Sequence, residues 1–326
     1  MIKEAPVLYL ILPCYNEEDT LDYSIEKIKE KLGRLVSENK ISVKSKALFV
    51  SDGSKDKTLL RLHEEASKDN RIAVVSLASN RGHQNAIMAG MMVAKEYCDI
   101  AITIDVDLQQ DIEALDEFIK KYNEGSEIVY GIRNDRKSDG FMKKATASMY
   151  YKLMHALGAD VMTNHADYRL MSKKALDMLS KYEETNLFLR GLIPTMGFNS
   201  DIVYFDVKER EFGKSKYTVK KMFTLALDGI TSMSVRPLHM ISVLGFLVFL
   251  FSVALAIYTL VGYFRGDNVQ GYTTSIIVSL LIGGVTLLSL GVIGEYIGKV
   301  YMEAKHRPRY MIDSVVIKDI DENKLY

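Results

Sequence analysis

The chain has 326 residues, and its 42 Lys and Arg balance 42 Asp and Glu, so the formal net charge is zero. A balanced charge gives no general attraction to nucleic acid, and we expect no nucleic-acid partner. The two cysteines, Cys14 and Cys98, offer neither a disulfide framework nor metal-ligand spacing, which suits a reducing compartment.

Apolar runs and periodic helical segments alternate along the first part of the chain. Strands are predicted at 7–12, 47–50, 72–77, 100–104 and 128–131. Helices are predicted from Asn16, as an N-cap, to about residue 35, from near Lys57, from about 83 to 96 and from about 112 to 122. This alternation predicts an α/β domain with a mostly parallel sheet and helices on both faces.

The fourth apolar run ends in Asp105 and Asp107. As a buried central strand, it would place both carboxylates on one side at its carboxyl end, where ligands bind in open α/β sheets. Clustered carboxylates repel each other unless a cation lies beside them. Mg²⁺ and Mn²⁺ are hard ions that take oxygen ligands and often bridge to substrate phosphates. The stretch therefore indicates a metal–diphosphate site, with a solvated acidic turn as the alternative.

Three further polar loops, at 13–17, 52–58 and 80–83, also follow predicted strands directly. The carboxyl ends of parallel strands meet at one edge of a sheet, so these loops are expected to lie together. Folding alone requires no polar clusters at that edge. Four such loops in register therefore indicate a ligand site.

Two apolar segments near the carboxyl terminus, 240–261 and 273–294, contain no charged residue. Each is long enough to cross a hydrocarbon core of about 30 Å at about 1.5 Å per residue. Buried core helices are the alternative, although both runs are apolar all round. Basic residues flank the outer ends of the pair, and the short connection holds Arg265 and Asp267. The positive-inside rule therefore predicts that the connection lies outside and that the large domain is cytoplasmic.

Motifs along nearly the whole chain carry a family resemblance. They are Pro13-x-Tyr15-Asn16-Glu17, Asp52-Gly53-Ser54-x-Asp56-x-Thr58, Asn80-x-Gly82, Asp105-x-Asp107-x-Gln109, His165-Ala166-Asp167-Tyr168-Arg169-Leu170, Arg210-x-x-Gly213-x-Ser215-Lys216-Tyr217 and Gly291-x-x-Gly294-Glu295-Tyr296-x-Gly298. Together they resemble the inverting family 2 glycosyltransferases. They are most similar to the bacterial undecaprenyl-phosphate glucosyltransferase group, which is related to dolichyl-phosphate mannose synthase.

The resemblance implies a glycosyltransferase A fold, which is Rossmann-like, followed by two carboxyl-terminal transmembrane helices. It implies a cytoplasmic catalytic domain at 1–217, a juxtamembrane amphipathic helix at 218–237, a transmembrane hairpin at 238–300 and a basic cytoplasmic tail at 301–326. The amphipathic helix would lie in the membrane interface or pack on the catalytic domain. Association into homo-oligomers is a further implication.

The resemblance assigns the donor nucleotide to loops at the edge of the sheet. The nucleoside residues would be Pro13, Tyr15, Asn16, Glu17, Asp52, Gly53 and Ser54. Asp52 can accept a hydrogen bond from uracil N3–H, or can be an ordinary turn aspartate. Asp105 would contact the ribose side and Asp107 the metal, Mg²⁺ or Mn²⁺, with both counted as candidate ligands and Asp107 as catalytic. Gln109 would donate to a phosphate oxygen.

Asp167 occupies the position of the family's catalytic base, in a polar segment after a helix predicted at about 141–157. A hydroxyl acceptor needs such a base. A phosphate monoester has a second pKa near 6 and is largely dianionic at neutral pH, so Asp167 would then mainly orient other groups. A loop-capping aspartate is the remaining alternative.

The loop containing Arg210, Ser215 and Lys216 would close over the diphosphate, or would lie as a solvated basic segment near anionic headgroups.

The resemblance implies transfer of a hexose, with glucose expected, from a UDP-sugar to undecaprenyl phosphate at the cytoplasmic face of the plasma membrane. The product would be a lipid-linked sugar donor for cell-envelope glycans. Alternatives are transfer of N-acetylglucosamine, transfer of mannose from GDP-mannose, and a non-catalytic membrane scaffold.

Overall fold

The computed structural model describes residues 4–134, 165–206, 231–232, 234–265 and 272–318. Within this part of the chain, eight strands form one sheet with the order β7-β5-β6-β4-β1-β2-β3-β8. The strands are β1 (Leu8–Cys14), β2 (Lys46–Ser51), β3 (Ile72–Leu77), β4 (Ile100–Thr103), β5 (Ile128–Arg133), β6 (His165–Ser172), β7 (Ser200–Phe205) and β8 (Ile312–Val316). The five strands predicted from sequence are all present.

Helices cover both faces of this sheet. They are α1 (Leu21–Ser37), α2 (Thr58–Lys68), α3 (His83–Ala94), α4 (Leu115–Asn123, after a 3₁₀ turn at Ile112–Ala114), α5 (Lys173–Leu179) and α6 (Leu189–Thr195). Alternate residues of β1 enter different cores: Leu8 and Leu10 pack into one hydrophobic cluster, and Tyr9 and Ile11 pack into the other. The run is apolar throughout because both faces are buried. The predicted two-sided α/β architecture is confirmed.

The direction of β6 determines which residues meet at the edge of the sheet. Strands β4, β1, β2 and β3 are parallel, whereas β6 runs antiparallel to β4 and β5. Thr103 pairs with Arg169, so Asp167 lies beyond the carboxyl end of β4. Asp167 therefore belongs to a strand, whereas the sequence analysis placed it only in a polar segment without assigning a secondary structure. The alternating, partly polar sequence of β6 fits a strand that carries functional side chains at its amino end.

The carboxyl-terminal tail contributes the last strand. β8 pairs antiparallel with β3, with Leu77 opposite Ile312 and Val74 opposite Val316. Residues 308–318 group with the sheet in one compact unit. The segment predicted as a separate basic tail is therefore partly an element of the α/β domain. It covers the edge of β3, which would otherwise expose unpaired backbone groups.

The second compact unit contains two long helices, α7 (Arg236–Arg265) and α8 (Tyr272–Ala304). Two segments, Arg236–Leu255 and Leu281–Ala304, are long and apolar enough to cross a membrane, and neither is buried in the protein. Their exposed apolar side chains exclude the alternative of two buried core helices. The helix predicted at about 141–157 lies outside the described residues, and so does the helix predicted at 218–237, apart from residues 231–232 and 234–237.

Candidate active site

The loops that follow β1 and β2 interlock at the carboxyl edge of the sheet. The Asn16 backbone N–H donates to Ser54 Oγ at 3.2 Å, and Asn16 Oδ1 accepts from the Lys55 N–H at 2.8 Å. Asn16 is therefore not the N-cap of α1, which begins at Leu21. Its φ of 53° is a left-handed conformation that asparagine tolerates better than most residues. The structure places the predicted nucleoside residues of the two loops beside one another.

Asp52 and Gly53 fix a third loop against the first two. Asp52 is 3% exposed, and its two carboxylate oxygens accept the backbone N–H groups of Arg81 and Gly82 at 2.7 and 2.9 Å. Gly53 has a φ of +63°, and a Cβ there would lie 2.5 Å from the Asn80 nitrogen. These contacts give Asp52 a role in holding the loop. Its hydrogen bond to uracil remains a prediction.

The two aspartates of the D-x-D motif lie in a turn rather than on a strand. β4 ends at Thr103, and the Leu108 N–H donates to the Asp105 carbonyl at 3.1 Å. Strand alternation therefore does not set the directions of the two carboxylates, as the sequence argument assumed. Asp107 Oδ1 accepts the Gln109 N–H at 3.2 Å, and the carboxylates of Asp105 and Asp107 are close enough to repel each other.

Two guanidinium groups surround the carboxylate of Asp167, which is 7% exposed. Asp167 Oδ1 accepts from Arg169 Nη2 at 2.6 Å, and Oδ2 accepts from Arg190 Nη2 at 2.9 Å. His83 Nε2 lies 3.6 Å from Asp167 Oδ2 and 3.5 Å from Asp105 Oδ1. The imidazole thus stands between the D-x-D turn and β6.

The surroundings shift the pKa values of Asp167 and Asp105 in opposite directions. Burial alone would raise the pKa of Asp167, but Arg190, His83 and Arg169 hold it well below its ordinary value. Burial raises the pKa of Asp105, and repulsion from Asp167 and Asp107 adds to the effect against the attraction of His83. Partial burial lowers the pKa of His83, but the carboxylates of Asp167 and Asp105 more than offset this and raise it. At neutral pH Asp167 is therefore an ionised and very weak base.

Sequence reasoning missed His83 and Arg190 as site residues. Arg190 lies on α6, and the backbone N–H and carbonyl of the first residue of this helix are both hydrogen-bonded to other parts of the domain. The Leu189 N–H donates to Gln84 Oε1 at 2.8 Å, and the Leu189 carbonyl accepts from Arg169 Nη1 at 3.3 Å. The available signal was an arginine within the otherwise apolar run 187–193, and a histidine directly after the Asn80-x-Gly82 motif.

The donor set suits a hard divalent cation. The described residues contain no group of three or more His, Cys, Asp or Glu side chains placed to hold a metal. Magnesium sites need fewer protein ligands, because such ions commonly bind one or two carboxylates together with substrate phosphates and water. Asp105 and Asp107 fit that pattern. The predicted phosphate loop with Arg210, Ser215 and Lys216 lies outside the described residues.

The protein class follows from comparison of the chain with known families. Residues 9–179 match Glycosyl transferase family 2, and residues 236–300 match the GtrB C-terminal hairpin. The chain belongs to glycosyltransferase family 2 and is a glycosyltransferase of glycosyltransferase A type with two carboxyl-terminal apolar helices. The predicted family, fold class and enzyme class are confirmed.

Two curated relatives extend this likeness over nearly the whole chain. The uncharacterized glycosyltransferase YkoT of Bacillus subtilis (strain 168) is 44% identical over 96% of this chain and 93% of its own length. The bactoprenol glucosyl transferase of Shigella phage SfV is 36% identical over 93% of this chain and 97% of its own length. Among solved structures, glucosyl-3-phosphoglycerate synthase from Mycobacterium tuberculosis aligns over 71% of this chain and 80% of its own, with 18% identity and a TM-score of 0.46.

Proposed function

We propose that this glycosyltransferase moves glucose from UDP-glucose to a polyprenyl phosphate, with undecaprenyl phosphate as the expected acceptor, and inverts the anomeric carbon. The observation that carries the proposal is the pairing of Asp167 with Arg169 and Arg190 beside the D-x-D turn. The name of the Shigella phage relative supports glucose as the sugar and a bactoprenol acceptor. The product would be a lipid-linked glucose donor for cell-envelope glycans.

The interlocked loops after β1, β2 and β3 form the surface proposed for the nucleotide. Tyr15 is 38% exposed at this edge, which leaves its ring accessible to a nucleoside. Asp107 and Asp105 would hold Mg²⁺ or Mn²⁺, and the bound ion would neutralise charge on the leaving diphosphate. Gln109 directly follows the turn and would donate to a phosphate oxygen, as would Arg210, Ser215 and Lys216 of the predicted phosphate loop.

The charge state of Asp167 favours a phosphate acceptor over a hydroxyl acceptor. A carboxylate paired with two guanidinium groups has little tendency to take a proton, so it cannot easily activate a neutral hydroxyl. A phosphate monoester needs no such activation, because it is already largely dianionic at neutral pH. One of its oxygens would attack C1 of the sugar as the bond to the UDP oxygen breaks. Arg190, whose side chain is 35% exposed, places a cation where the anionic acceptor would approach.

The connectivity of the fold supports a cytoplasmic domain on a two-span anchor. The chain leaves the sheet after β7, passes through α7 and α8, and returns to the same sheet as β8. Both outer ends of the helical hairpin therefore lead to one compact domain, as two membrane crossings require. Together with the basic flanks, this favours a cytoplasmic domain and an external connection between the helices.

The decisive experiment is lipid glucosylation by the purified full-length protein in detergent. UDP-glucose labelled in the sugar, Mg²⁺ and undecaprenyl phosphate should give labelled lipid, and omission of the lipid should give none. Asp107→Asn should abolish the product, whereas Asp111→Asn is the matched control. Asp111 caps the 3₁₀ turn through an oxygen that asparagine retains, so this variant should keep its activity.

Assays with other sugar nucleotides distinguish the alternative functions. A lipid product from UDP-N-acetylglucosamine or GDP-mannose but not from UDP-glucose would overturn the choice of sugar. Activity that survives EDTA, or a near-normal rate for Asp107→Asn, would overturn the metal assignment. If the folded protein gives no product with any donor, the alternative of a non-catalytic membrane scaffold would be favoured. The oligomeric state stays a prediction to be measured by light scattering in detergent.

A further inference from the structure

We propose that Gln110 is a positioning residue that, together with Ser24, holds Asp105 in the orientation required for cation and diphosphate binding. The inference rests on the proposed function, because it assumes that the D-x-D turn binds a divalent ion. Neither residue belongs to the donor-binding set proposed above. Each is almost completely buried, at 2% and 1% exposed, and each contacts the turn directly.

Gln110 binds Asp105 at two points with one side-chain amide. Its Oε1 accepts the Asp105 backbone N–H at 2.7 Å, and its Nε2 donates to Asp105 Oδ2 at 2.8 Å. A planar amide that makes both bonds fixes the rotation of the carboxylate relative to the backbone. With Oδ2 bound to Gln110, Oδ1 is directed to the side of the turn where His83 lies, at 3.5 Å.

Ser24 holds the same turn from helix α1. Its Oγ lies 2.5 Å from the carbonyl oxygen of Val106, the residue between the two aspartates, and 3.0 Å from the Thr20 carbonyl. A hydroxyl has one proton, and the shorter distance assigns it to Val106. The turn needs such support because Leu108 has a φ of 47°, a left-handed conformation that leucine rarely adopts.

Glutamine matches this position because it offers an acceptor and a donor. A glutamate of the same shape would keep the acceptor but would place a second negative charge against Asp105 Oδ2. A methionine would fill a similar volume and make neither bond. Groups that orient a metal ligand through hydrogen bonds typically change metal affinity by about 10–100-fold when they are removed.

The test measures Mn²⁺ binding to the full chain in detergent, in the presence of UDP and without turnover. Free Mn²⁺ is quantified from its electron paramagnetic resonance signal. All measurements are made well below the melting temperature of each protein variant. We expect Gln110→Met to weaken Mn²⁺ binding by about 10–100-fold. Ser24→Ala should weaken it in the same direction, because the Val106 carbonyl loses its donor.

Ser172→Ala is the matched control for Ser24→Ala. Ser172 is also a buried hydroxyl, 3% exposed, that accepts the Ala175 N–H and donates to Glu127. It pairs with Ile100 at the opposite end of β4, away from the D-x-D turn. Its removal should lower the melting temperature without changing Mn²⁺ affinity, which separates a positioning effect from a general loss of stability.

The outcomes distinguish this inference from the function on which it rests. Equal Mn²⁺ affinity of the wild-type chain and Gln110→Met would overturn the inference alone. If Gln110→Met does not fold, equal affinities of Ser24→Ala and Ser172→Ala would overturn it instead. A wild-type chain that binds no Mn²⁺ with UDP would overturn it together with the proposed metal site.

Discussion

Replacement of Asp167 with asparagine tests the proposed division of charge in the site. The change keeps the size of the side chain and one acceptor oxygen, but it removes the negative charge beside Arg169, which is fully buried. Removal of one partner from a buried ion pair typically costs about 3–5 kcal/mol, and because one acceptor is retained we expect a loss of about 3 kcal/mol. At about 2–4 °C per kcal/mol, the melting temperature should fall by roughly 6–12 °C.

The rate of Asp167→Asn should fall by less than the full contribution of a general base, which is about 10²–10⁴-fold. The folded pKa of Asp167 is lowered, so its stabilising charge is present above the unfolded pKa of about 3.9. That charge is lost only as the pH falls through the lower folded pKa. Asp167 therefore stays ionised above about pH 5, and the wild-type rate should rise with acceptor ionisation near pH 6.

The loss of rate in Asp167→Asn is measured from initial rates at saturating acceptor, below the melting temperature of the variant. A loss of about 10⁴-fold or more with unchanged UDP and Mn²⁺ binding would overturn the orienting role, because Asp167 would then be an essential base. Disappearance of the acid limb from the pH profile of the variant would refute it as well. Adding Arg169→Met to Asp167→Asn should recover part of the lost stability, since it removes the unpaired buried charge.

Three further changes test the loops, the tail and the membrane orientation. Gly53→Ala should cost about 1–3 kcal/mol and weaken UDP binding in titration calorimetry, because its Cβ would lie 2.5 Å from the Asn80 nitrogen; an unchanged melting temperature would contradict this. Removal of residues 308–326 takes away β8 and should lower the melting temperature and promote aggregation in size-exclusion chromatography. In a cysteine-free background, Asp267→Cys should react with an impermeant thiol reagent from outside intact cells and Lys55→Cys should not, whereas the reverse labelling would overturn the orientation.

The parts of the fold that local pattern could predict are those with continuous apolar runs. The third strand was predicted at 72–77, the bounds that β3 has in the structure. β1 and β2 differ from their predictions by only one or two residues at each end. Their β-branched and aliphatic residues are buried on both faces, so a strand gives the simplest account of each run. The family resemblance supplied the glycosyltransferase A fold type.

The features that could not be predicted from the sequence depend on contacts between distant parts of the chain. The sequence of β8 is short and half polar, and only the edge of β3 makes it a strand. His83, Asp105, Asp167 and Arg190 are far apart in sequence and meet because β6 runs antiparallel to β4. Asn16 resembles an N-cap locally, but its side chain bonds to the second loop instead. No local rule of propensity or capping contains this information.

The charges of the site divide the three carboxylates between two roles. Asp167 is neutralised by guanidinium groups that belong to the protein, so its negative charge is already compensated in the folded chain. Asp105 lies beside Asp107 and Asp167, and their repulsion adds to the effect of burial in raising its pKa. A hard cation bound at the D-x-D turn would remove that penalty. Pairs of acids whose environments move their pKa values apart usually perform different tasks. This division supports the proposal that the D-x-D turn binds the cation and that Asp167 orients other groups, and it agrees with the proposed reaction, whose nucleophile arrives already charged.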